Sequence, residues 1–366
     1  MISQYFPRIT IRANFGINVH NTRGASCCKV AAWSAWERGM PSDNTRVADP
    51  SPTQFAGDSI GRTAARLFNA TRPKFFPASA FPVLTGSAWG FYSAGTFDFL
   101  VFALALFATV CVHAACNVLN DVGDESGGTD KQNEDRIYPY TGGSRFIQVG
   151  IMSADDMARL GISLLALAAL AGIGLILIKG PMVLYFGLIG MALGVLYSLG
   201  PVRLSSLGIG EAAVAIAFGV VPVAGAAWLQ GAAIDANLII FSVPISMWVA
   251  AILLINEVPD IVADGATGKR TLPVRMGLGG TALLYVVLHV VAVAATGWLV
   301  YQDALPLAAP LVPIALLVLA FRAGLAIQRG IDDRAGMTKA IEGTLAIHTI
   351  GSLWLAGCAL FLHWWG

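Results

Sequence analysis

Apolar runs long enough to cross a membrane recur along the sequence, and they restrict the fold more than any other feature. We place nine of them, with boundaries loose by a few residues, at 76–96, 98–118, 157–178, 181–199, 207–229, 236–256, 280–301, 305–328 and 342–364. A helix needs about 20 mostly apolar residues to span the hydrocarbon core of a bilayer. Only 12% of the residues are charged, whereas soluble domains have about 25%. The sequence therefore predicts an all-α, polytopic membrane protein with about nine transmembrane helices.

Residues 1–66 differ from the remainder of the chain in composition. They are polar, rich in Ser, Asn, Arg and Pro, and they lack the apolar core of a signal peptide. We expect this segment to be a disordered tail and residues 67–366 to form the transmembrane domain. A transit peptide, or a true start at Met40, are weaker interpretations of the same segment.

Lys and Arg residues are unevenly distributed among the loops between the apolar runs. The loops after the second, fourth, sixth and eighth runs contain almost all of them, and the opposite loops contain essentially Lys179 alone. Because cytoplasmic loops carry the excess of Lys and Arg, we predict that the N-terminus faces the cytoplasm of an inner or plasma membrane. The net charge of +1 indicates no nucleic-acid partner, and nothing in the sequence indicates an obligate protein partner.

The second apolar run ends in a cluster of carboxyl and amide side chains within the sequence NVLNDVGDESGGTD. Asn117, Asp121 and Asp124 have i, i+4, i+7 spacing and so share one helical face; Asn120 and Asp130 add further oxygen atoms. Carboxylates beside lipid repel one another and lose hydration, so such a group requires a neutralising cation. Solvated acids in a cytoplasmic loop are the alternative interpretation of this cluster alone.

A second cluster ends the sixth run, in the sequence NEVPDIVADGATGKR. Asn256, Asp260 and Asp264 have i, i+4, i+8 spacing, and this cluster is predicted to lie on the cytoplasmic side with the first. Oxygen ligands suit Mg²⁺, which often completes its shell with substrate phosphates. The two clusters together predict one shared site for Mg²⁺ and a diphosphate.

Basic residues follow each cluster, and they would stabilise the charge of a departing diphosphate. They are Lys131, Arg136 and Arg145 in the first loop, and Lys269 and Arg270 in the second. The same residues are also explained by their cytoplasmic position alone, so each is a separate hypothesis, with Arg136 and Lys269 favoured.

Tyr197, at the end of the fourth run, is placed to stack on a cationic intermediate or to serve as a membrane-interface aromatic. His113 and His289 lie in apolar runs, where packed histidines are the favoured interpretation. Cys111, Cys116 and Cys358 are interpreted as small core hydrophobes.

The two clusters resemble those of the UbiA superfamily of intramembrane prenyltransferases, in which Asp-rich motifs lie on helices two and six of nine. The resemblance covers residues 67–364 and begins at the Arg72-Pro73 pair. The long first motif NDVGDESGGTD and the tail GKRTLPVRMG are similar to those of the 1,4-dihydroxy-2-naphthoate branch. The resemblance implies a single helical bundle around a central cavity, Mg²⁺ as cofactor, and polyprenyl diphosphate and a small aromatic acceptor as substrates.

The resemblance also implies roles for individual residues. The catalytic carboxylates, which also bind the metal, would be Asp121, Asp124, Asp260 and Asp264, with Asp130 as a further metal ligand. The substrate-binding residues would be Asn117, Asn120, Lys131, Arg136, Arg145, Tyr197, Asn256, Lys269 and Arg270.

Several alternatives stay open at this point. The acceptor could be 4-hydroxybenzoate, homogentisate or a chlorophyllide-type alcohol instead of 1,4-dihydroxy-2-naphthoate, the acceptor of menaquinone biosynthesis. A membrane terpene cyclase would use the same diphosphate chemistry without an acceptor. A cation-coupled transporter is a remote alternative from another class, because transporters place their acids near the bilayer midplane on broken helices.

Overall fold

The structure, a computed structural model, describes residues 49–127, 135–198 and 203–365. Every regular element among these residues is helical, which confirms the predicted all-α class for the described part of the chain. The compact unit to which they belong extends from Thr45 to Gly366.

Long helices occupy the regions of the predicted apolar runs. In chain order they are α1 (Pro77–Ala94), α2 (Phe99–Gly127), α3 (Ala154–Lys179), α4 (Met182–Ser198), α5 (Gly210–Leu229), α6 (Ala236–Asn256), α7 (Leu272–Tyr301), α8 (Leu311–Arg329) and α9 (Arg334–Trp365). Helix α5 contains a π-helical stretch, Ala215–Val220, and α7 is kinked at Gly277, whose φ is +65°. Shorter helices are Pro52–Phe55, Ile60–Ala70 and Ile261–Ala266.

Six segments among the described residues are long and apolar enough to cross a membrane, which supports an integral membrane protein. They coincide with α2, α3, α5, α6 and α7, and with one segment, Leu311–Leu362, that contains both α8 and most of α9. Helices α1 and α4 have 18 and 17 residues, near the lower limit of about 17 residues for a spanning helix. The number of nine crossings therefore stays a prediction.

Local side-chain contacts set where the helices begin and end. Asp235 Oδ1 accepts a hydrogen bond from the Leu238 N–H at 2.8 Å and starts α6. Gly95, with φ of +70°, ends α1 in the left-handed conformation that favours glycine. The Gln230 side chain bonds to both the N–H and the carbonyl of Asp98, at 2.8 and 3.0 Å. This pair of bonds ties the end of α5 to the turn between α1 and α2.

Two glycines allow α5 to pack against its neighbours at backbone distance. A Cβ atom added to Gly86 of α1 would collide with the Val223 carbonyl of α5, and one added to Gly219 of α5 would collide with Ser246 of α6. Small residues at such crossings are typical of helices that pack tightly in lipid. Helix α5 is thereby held between α1 and α6.

Helix α6 is the most enclosed of the candidate spans, with 72% of its apolar window buried against 50% or less in the others. Phe241, Ile245 and Trp248 are fully buried, and the ring centroids of Trp89 and Phe241 are 4.4 Å apart. The second acid cluster follows this helix directly, so it is attached to the most rigidly packed part of the bundle.

The predicted tail, residues 1–66, lies largely outside the described residues, and its described part, residues 49–66, contains helical segments. Helices form at Pro52–Phe55 and Ile60–Ala70, so the boundary expected between residues 66 and 67 falls inside a helix. The Phe55 ring lies 5.0 Å from the Phe146 ring, and Arg66 Nη1 donates a hydrogen bond to the Phe55 carbonyl at 3.3 Å. Burial of apolar side chains against the loop before α3 accounts for the order of this segment.

Candidate active site between two acid-bearing helix ends

A cavity of about 260 Å³ lies at the ends of α2 and α6. Both acid clusters line it: the first contributes Asn117, Asn120 and Asp124, and the second contributes Asn256, Asp260 and Asp264. Apolar side chains of α4, α5 and α6 form part of the remaining wall, and residues before and at the start of α1, from α2 and from the loops contribute the rest. The structure therefore brings residues that are far apart in sequence to one site.

Lys269 links the two clusters directly. Its Nζ atom lies 3.0 Å from Asp124 Oδ1 and 3.8 Å from Asp264 Oδ1, while Asn120 Nδ2 donates to the other carboxylate oxygen of Asp124 at 2.8 Å. Gly268, with φ of +80°, lets the chain reverse so that the Lys269 N–H donates to the Asp264 carbonyl at 2.9 Å. The ammonium group is thus held between the two acid-bearing segments.

The electrostatics of this cluster show an excess of negative charge. Burial raises the pKa of Asp264 to about 7; Lys269 opposes this shift, and the carboxylates of Asp260 and Asp124 add to it. Burial disfavours the charged form of Lys269, yet Asp124 and Asp264 hold its pKa above the usual value. Among the described residues of the cavity wall, the two basic side chains of Lys269 and Arg72 face three acids, so an additional cation would be stabilised here.

Asp121 shares a helical face with Asn117 and Asp124, as their spacing in α2 predicts, but it does not line the cavity. It is only 2% exposed, and its Oδ2 atom accepts a hydrogen bond from the Ser144 N–H at 2.9 Å. Its Oδ1 atom is buried without a hydrogen-bond partner among the described residues. Its neighbour Asn120 lines the cavity, because consecutive residues project about 100° apart around a helix and Asp121 lies on the side of the face that meets Ser144.

Three predicted phosphate contacts also lie outside the cavity lining. Arg136 donates to the Asp49 carboxylate through Nε at 3.2 Å and Nη2 at 2.6 Å, and Arg145 Nε lies 3.8 Å from the same group. The Arg270 N–H donates to the Ser206 carbonyl at 2.9 Å. A pairing with Asp49, 87 residues before Arg136, could not be anticipated from the local spacing of charges.

The remaining predicted residues divide into two groups. Asp130 and Lys131 lie outside the described residues. Asn117, Tyr197 and Asn256 line the cavity; Asn117 Nδ2 donates to the Thr71 carbonyl at 3.0 Å. Asn256 Oδ1 is buried without a hydrogen-bond partner in the described part of the chain, which leaves an amide oxygen available to a ligand.

Arg72 and Tyr140 line the cavity although the sequence analysis assigned them no role. Arg72 Nη2 donates to the Tyr140 carbonyl at 2.8 Å, and its guanidinium lies 5.0 Å from the centroid of the Phe75 ring. Arg72 adopts a left-handed conformation with φ of +56°, so local contacts hold it there. In the sequence, Arg72 lies just before the first apolar run, and this position at a helix end could have indicated a role in the site.

Two buried carboxyl groups form a further feature that the sequence analysis did not identify. Glu211 and Glu257 are both buried, and they share a side-chain hydrogen bond. Burial and the neighbouring Glu211 raise the pKa of Glu257 well above its usual value. Glu257 also lines the cavity, where burial and the neighbouring carboxyl group raise its pKa and so favour its uncharged form.

The histidines are packed, as expected. His113 Nδ1 lies 2.9 Å from Ser79 Oγ, and His289 Nδ1 lies 2.8 Å from the Tyr285 carbonyl oxygen. His113 additionally lines the cavity, where its ring meets the Phe218 ring edge-on at 4.8 Å.

The donor set of the cavity has the chemistry that Mg²⁺ prefers. Asp124, Asp260 and Asp264 offer carboxylate oxygens, and Asn120 and Asn256 offer amide groups. No group of three or more acidic, His or Cys side chains among the described residues converges closely enough to hold an ion alone. Mg²⁺ commonly uses one or two carboxylates and takes its other ligands from water and substrate phosphates, so these residues fit a metal that binds together with a diphosphate.

Comparisons with known proteins agree with this geometry. The family model described as "UbiA prenyltransferase family" matches residues 79–340. The 1,4-dihydroxy-2-naphthoate octaprenyltransferase of Haemophilus influenzae is 32% identical over 218 residues, which covers 57% of this chain and 68% of the relative. The Escherichia coli enzyme of the same name is 31% identical over 224 residues, which covers 60% of this chain and 70% of the relative.

Solved structures show a similar fold. A UbiA homolog from Archaeoglobus fulgidus bound to GPP and Mg²⁺ aligns with a TM-score of 0.54, covering 80% of this chain and 99% of that chain. The sequence identity is 16%, so this similarity concerns the fold alone.

Proposed function

The chain belongs to the UbiA prenyltransferase family and is a prenyltransferase, and from this membership we propose that it transfers a polyprenyl group from polyprenyl diphosphate to 1,4-dihydroxy-2-naphthoate. The reaction is Mg²⁺-dependent and belongs to menaquinone biosynthesis. One observation carries the proposal: Lys269 joins Asp124 and Asp264 on the wall of a single cavity. The acceptor is proposed from the 31–32% identity to two enzymes of that name.

The polar wall of the cavity binds the diphosphate. Asp124, Asp260 and Asp264 would hold Mg²⁺, which supplies positive charge to the leaving diphosphate. Lys269 and Arg72 are the described basic residues on this wall, and they stabilise the charge that develops as the C–O bond breaks. Asp130 and Lys131, outside the described residues, retain their predicted roles as a metal ligand and a phosphate contact.

The apolar wall of the cavity protects the reacting carbon. Phe75, Leu193, Phe218 and Ile252 line it, and they exclude water that would quench an allylic cation before the aromatic ring attacks. The ring of Tyr197 also faces this space and stabilises positive charge through its π-electrons.

Asp121 serves a supporting role in this proposal. Because its carboxylate binds the Ser144 N–H and lies outside the cavity lining, it anchors the loop that follows the first motif. We therefore assign metal binding to Asp124, Asp260 and Asp264, with Asp121 stabilising the structure around them.

The site opens toward the cytoplasm in this proposal, as the distribution of Lys and Arg predicts. The soluble acceptor enters from that side. The polyprenyl chain extends between helices into the bilayer, where its transfer free energy from water is most favourable. All nine long helices cross the membrane, with α1 and α4 as the shortest crossings.

A transfer assay tests the proposal. Membranes containing the protein are incubated with labelled polyprenyl diphosphate, 1,4-dihydroxy-2-naphthoate and Mg²⁺, and the lipid extract is analysed for demethylmenaquinone. Asp124→Asn and Asp260→Asn should each lower the rate by about 100-fold or more, because charge stabilisation in the transition state is lost. Asp155→Asn, which changes an exposed acid at the start of α3, is the matched control and should retain full activity.

The same assay separates the other activities. Product formed only with 4-hydroxybenzoate, homogentisate or a chlorophyllide-type alcohol would replace the proposed acceptor. Consumption of the diphosphate without any acceptor would indicate a terpene cyclase. Wild-type activity in both acid variants would refute the assignment of the site.

A further inference from the structure

Asp49 lies well before residue 79, where the family match begins, yet it contacts the loop that closes the cavity. Its carboxylate receives two hydrogen bonds from Arg136, at 3.2 and 2.6 Å, in the bidentate geometry that makes guanidinium–carboxylate pairs strong. Arg145 Nε lies 3.8 Å from the same carboxylate. One acid from the N-terminal segment thus holds two arginines that lie nine positions apart.

These two arginines flank what we call the cavity loop, residues 136–145. Tyr140, Thr141, Gly142 and Gly143 of this loop line the cavity. The loop also reaches the first acid cluster, because the Ser144 N–H donates to Asp121. Asp49 therefore contacts both ends of the cavity loop, Arg334 Nη2 also donates to the Arg136 carbonyl at 2.6 Å, and the middle of the loop forms part of the site.

The backbone of the cavity loop requires external support. Gly142, Gly143 and Arg145 have φ values of +72°, +74° and +67°. The left-handed conformation is unfavourable for a non-glycine residue such as Arg145 and persists only where the surroundings hold it. The side chain of Arg145 is 11% exposed and faces the Asp49 carboxylate, which supplies such support.

The side chain of Arg136 connects the Asp49 carboxylate to the backbone of Gly142. A Cβ atom at Gly142 would lie 2.8 Å from Arg136 Cβ and 2.9 Å from Arg136 Cδ, so the stem of this arginine packs directly on the backbone of a residue that lines the cavity. The guanidinium group at the end of that stem is the one that Asp49 binds. Without the carboxylate, the two guanidinium groups would lose the negative charge that lies between them, and the stem of Arg136 would lose the two hydrogen bonds at its end.

We propose that Asp49 is a positioning residue of the prenyl-diphosphate site: it neutralises Arg136 and Arg145 and so keeps the cavity loop in the form that binds the diphosphate. This inference rests on the proposed function for its substrate. It makes the segment before the first long helix a part of the binding site, and it explains why that segment is ordered.

Steady-state kinetics test the proposal with labelled polyprenyl diphosphate. If the loop adopts the competent form in only about a tenth of Asp49→Asn molecules, the apparent affinity falls by about tenfold. We expect KM for the diphosphate to rise by that factor, with kcat changed by less than about threefold because the reacting groups are intact. Asp49→Glu, which keeps the charge, should recover most of the affinity. Asp58→Asn, an exposed acid of the same segment, is the matched control.

Hydrogen exchange of the full-length protein in detergent provides a second measurement that does not depend on activity. Peptides covering residues 137–146 should exchange faster in Asp49→Asn than in the wild type or Asp58→Asn. Unchanged exchange in these peptides would overturn the proposal, as would a lower KM, which would mean that Asp49 withholds the arginines from the substrate. If the wild type transfers no prenyl group to any acceptor, the proposed function fails, and the exchange result alone decides whether Asp49 orders the loop.

Discussion

Replacing Lys269 with methionine removes the ammonium group that, among the described residues, lies between the two acid clusters. Met has a similar length and apolar stem, so the substitution changes charge more than packing. We expect the Lys269→Met variant to fold with reduced stability, because Asp124 and Asp264 lose their shared counter-charge. The variant should also respond more strongly to Mg²⁺ than the wild type.

The magnitude follows from the two distances. At an effective dielectric constant of about 20, ion pairs at 3.0 and 3.8 Å have Coulomb energies that sum to about 10 kcal/mol. The desolvation of the charges offsets most of this gain, and deleting one partner of a buried pair typically costs 3–5 kcal/mol. Lys269 and Asp124 are 22% and 24% exposed, so water screens part of the repulsion left behind. We therefore expect a loss of about 2 kcal/mol.

Thermal unfolding of the purified protein in detergent measures the effect. A loss of about 2 kcal/mol corresponds to an apparent midpoint about 3 °C lower in a chain of this size. The scan is made first with EDTA and then with Mg²⁺. In the variant a divalent cation takes the place of the ammonium group between the carboxylates, so Mg²⁺ should raise the midpoint of the variant by more than that of the wild type.

The control is Lys179→Met, at the end of α3. Lys179 Nζ lies 4.0 Å from Asp98 Oδ2, and the two side chains are 29% and 42% exposed. Exposed pairs contribute about 0–1 kcal/mol, so this variant should unfold close to the wild-type temperature and show no added response to Mg²⁺. Equal losses in the two variants, or equal responses to Mg²⁺ in Lys269→Met and the wild type, would refute the bridging role of Lys269.

Two further predictions concern packing and protonation. Gly219→Ala should lower stability by about 1–3 kcal/mol and reduce the yield of folded protein, because the new methyl group would collide with Ser246. The control is Gly187→Ala, which has open space around it and should keep the wild-type yield and unfolding midpoint. Equal yields and midpoints in the two variants would contradict the close crossing of α5 and α6. Because the pKa of Glu257 is raised by burial and by Glu211, its contribution to stability is present at low pH and lost as pH rises through the raised value. The midpoint of Glu257→Gln relative to the wild type, measured in EDTA, should therefore increase from pH 5 to pH 8, and a difference that is constant with pH would contradict the raised pKa.

Periodicity and charge in the sequence were sufficient to place most of the helices and to bring Asp124, Asp260 and Asp264 to one end of the bundle. A helix end is a local property of the chain, and two long helices that end on the same side of a membrane place their last residues in the same layer. Which side chains of that layer turn toward the cavity was harder to predict from the sequence. Asn120 and Asp121 are adjacent in sequence, and only the position of the Ser144 N–H decides which of them is turned away from the cavity.

Long-range pairing accounts for the residues that the sequence analysis placed differently. Arg136 was expected to contact the diphosphate because its neighbours are polar, but Asp49 receives its hydrogen bonds, and that contact depends on the order of a segment with little apolar periodicity. Glu211 could have been identified, since an acid at the start of an apolar run is expensive in a membrane and is usually functional or paired. Its partner Glu257 lies at the end of the helix packed against it.

The balance of charge on the cavity wall bears on the order in which ligands bind. Asp124, Asp260 and Asp264 face Lys269 and Arg72; burial raises the pKa of Asp264, Lys269 opposes this shift, and the carboxylates of Asp260 and Asp124 add to it. A free diphosphate would add negative charge to these carboxylates and would be repelled at short range. The same acids attract a divalent cation, and a cation bound to them reverses the sign of the field that the diphosphate meets. The wall would therefore favour a diphosphate that arrives with its metal or after it, and Lys269, whose ammonium group ends a flexible four-carbon stem, lies on the same wall, where it would contact phosphate oxygens.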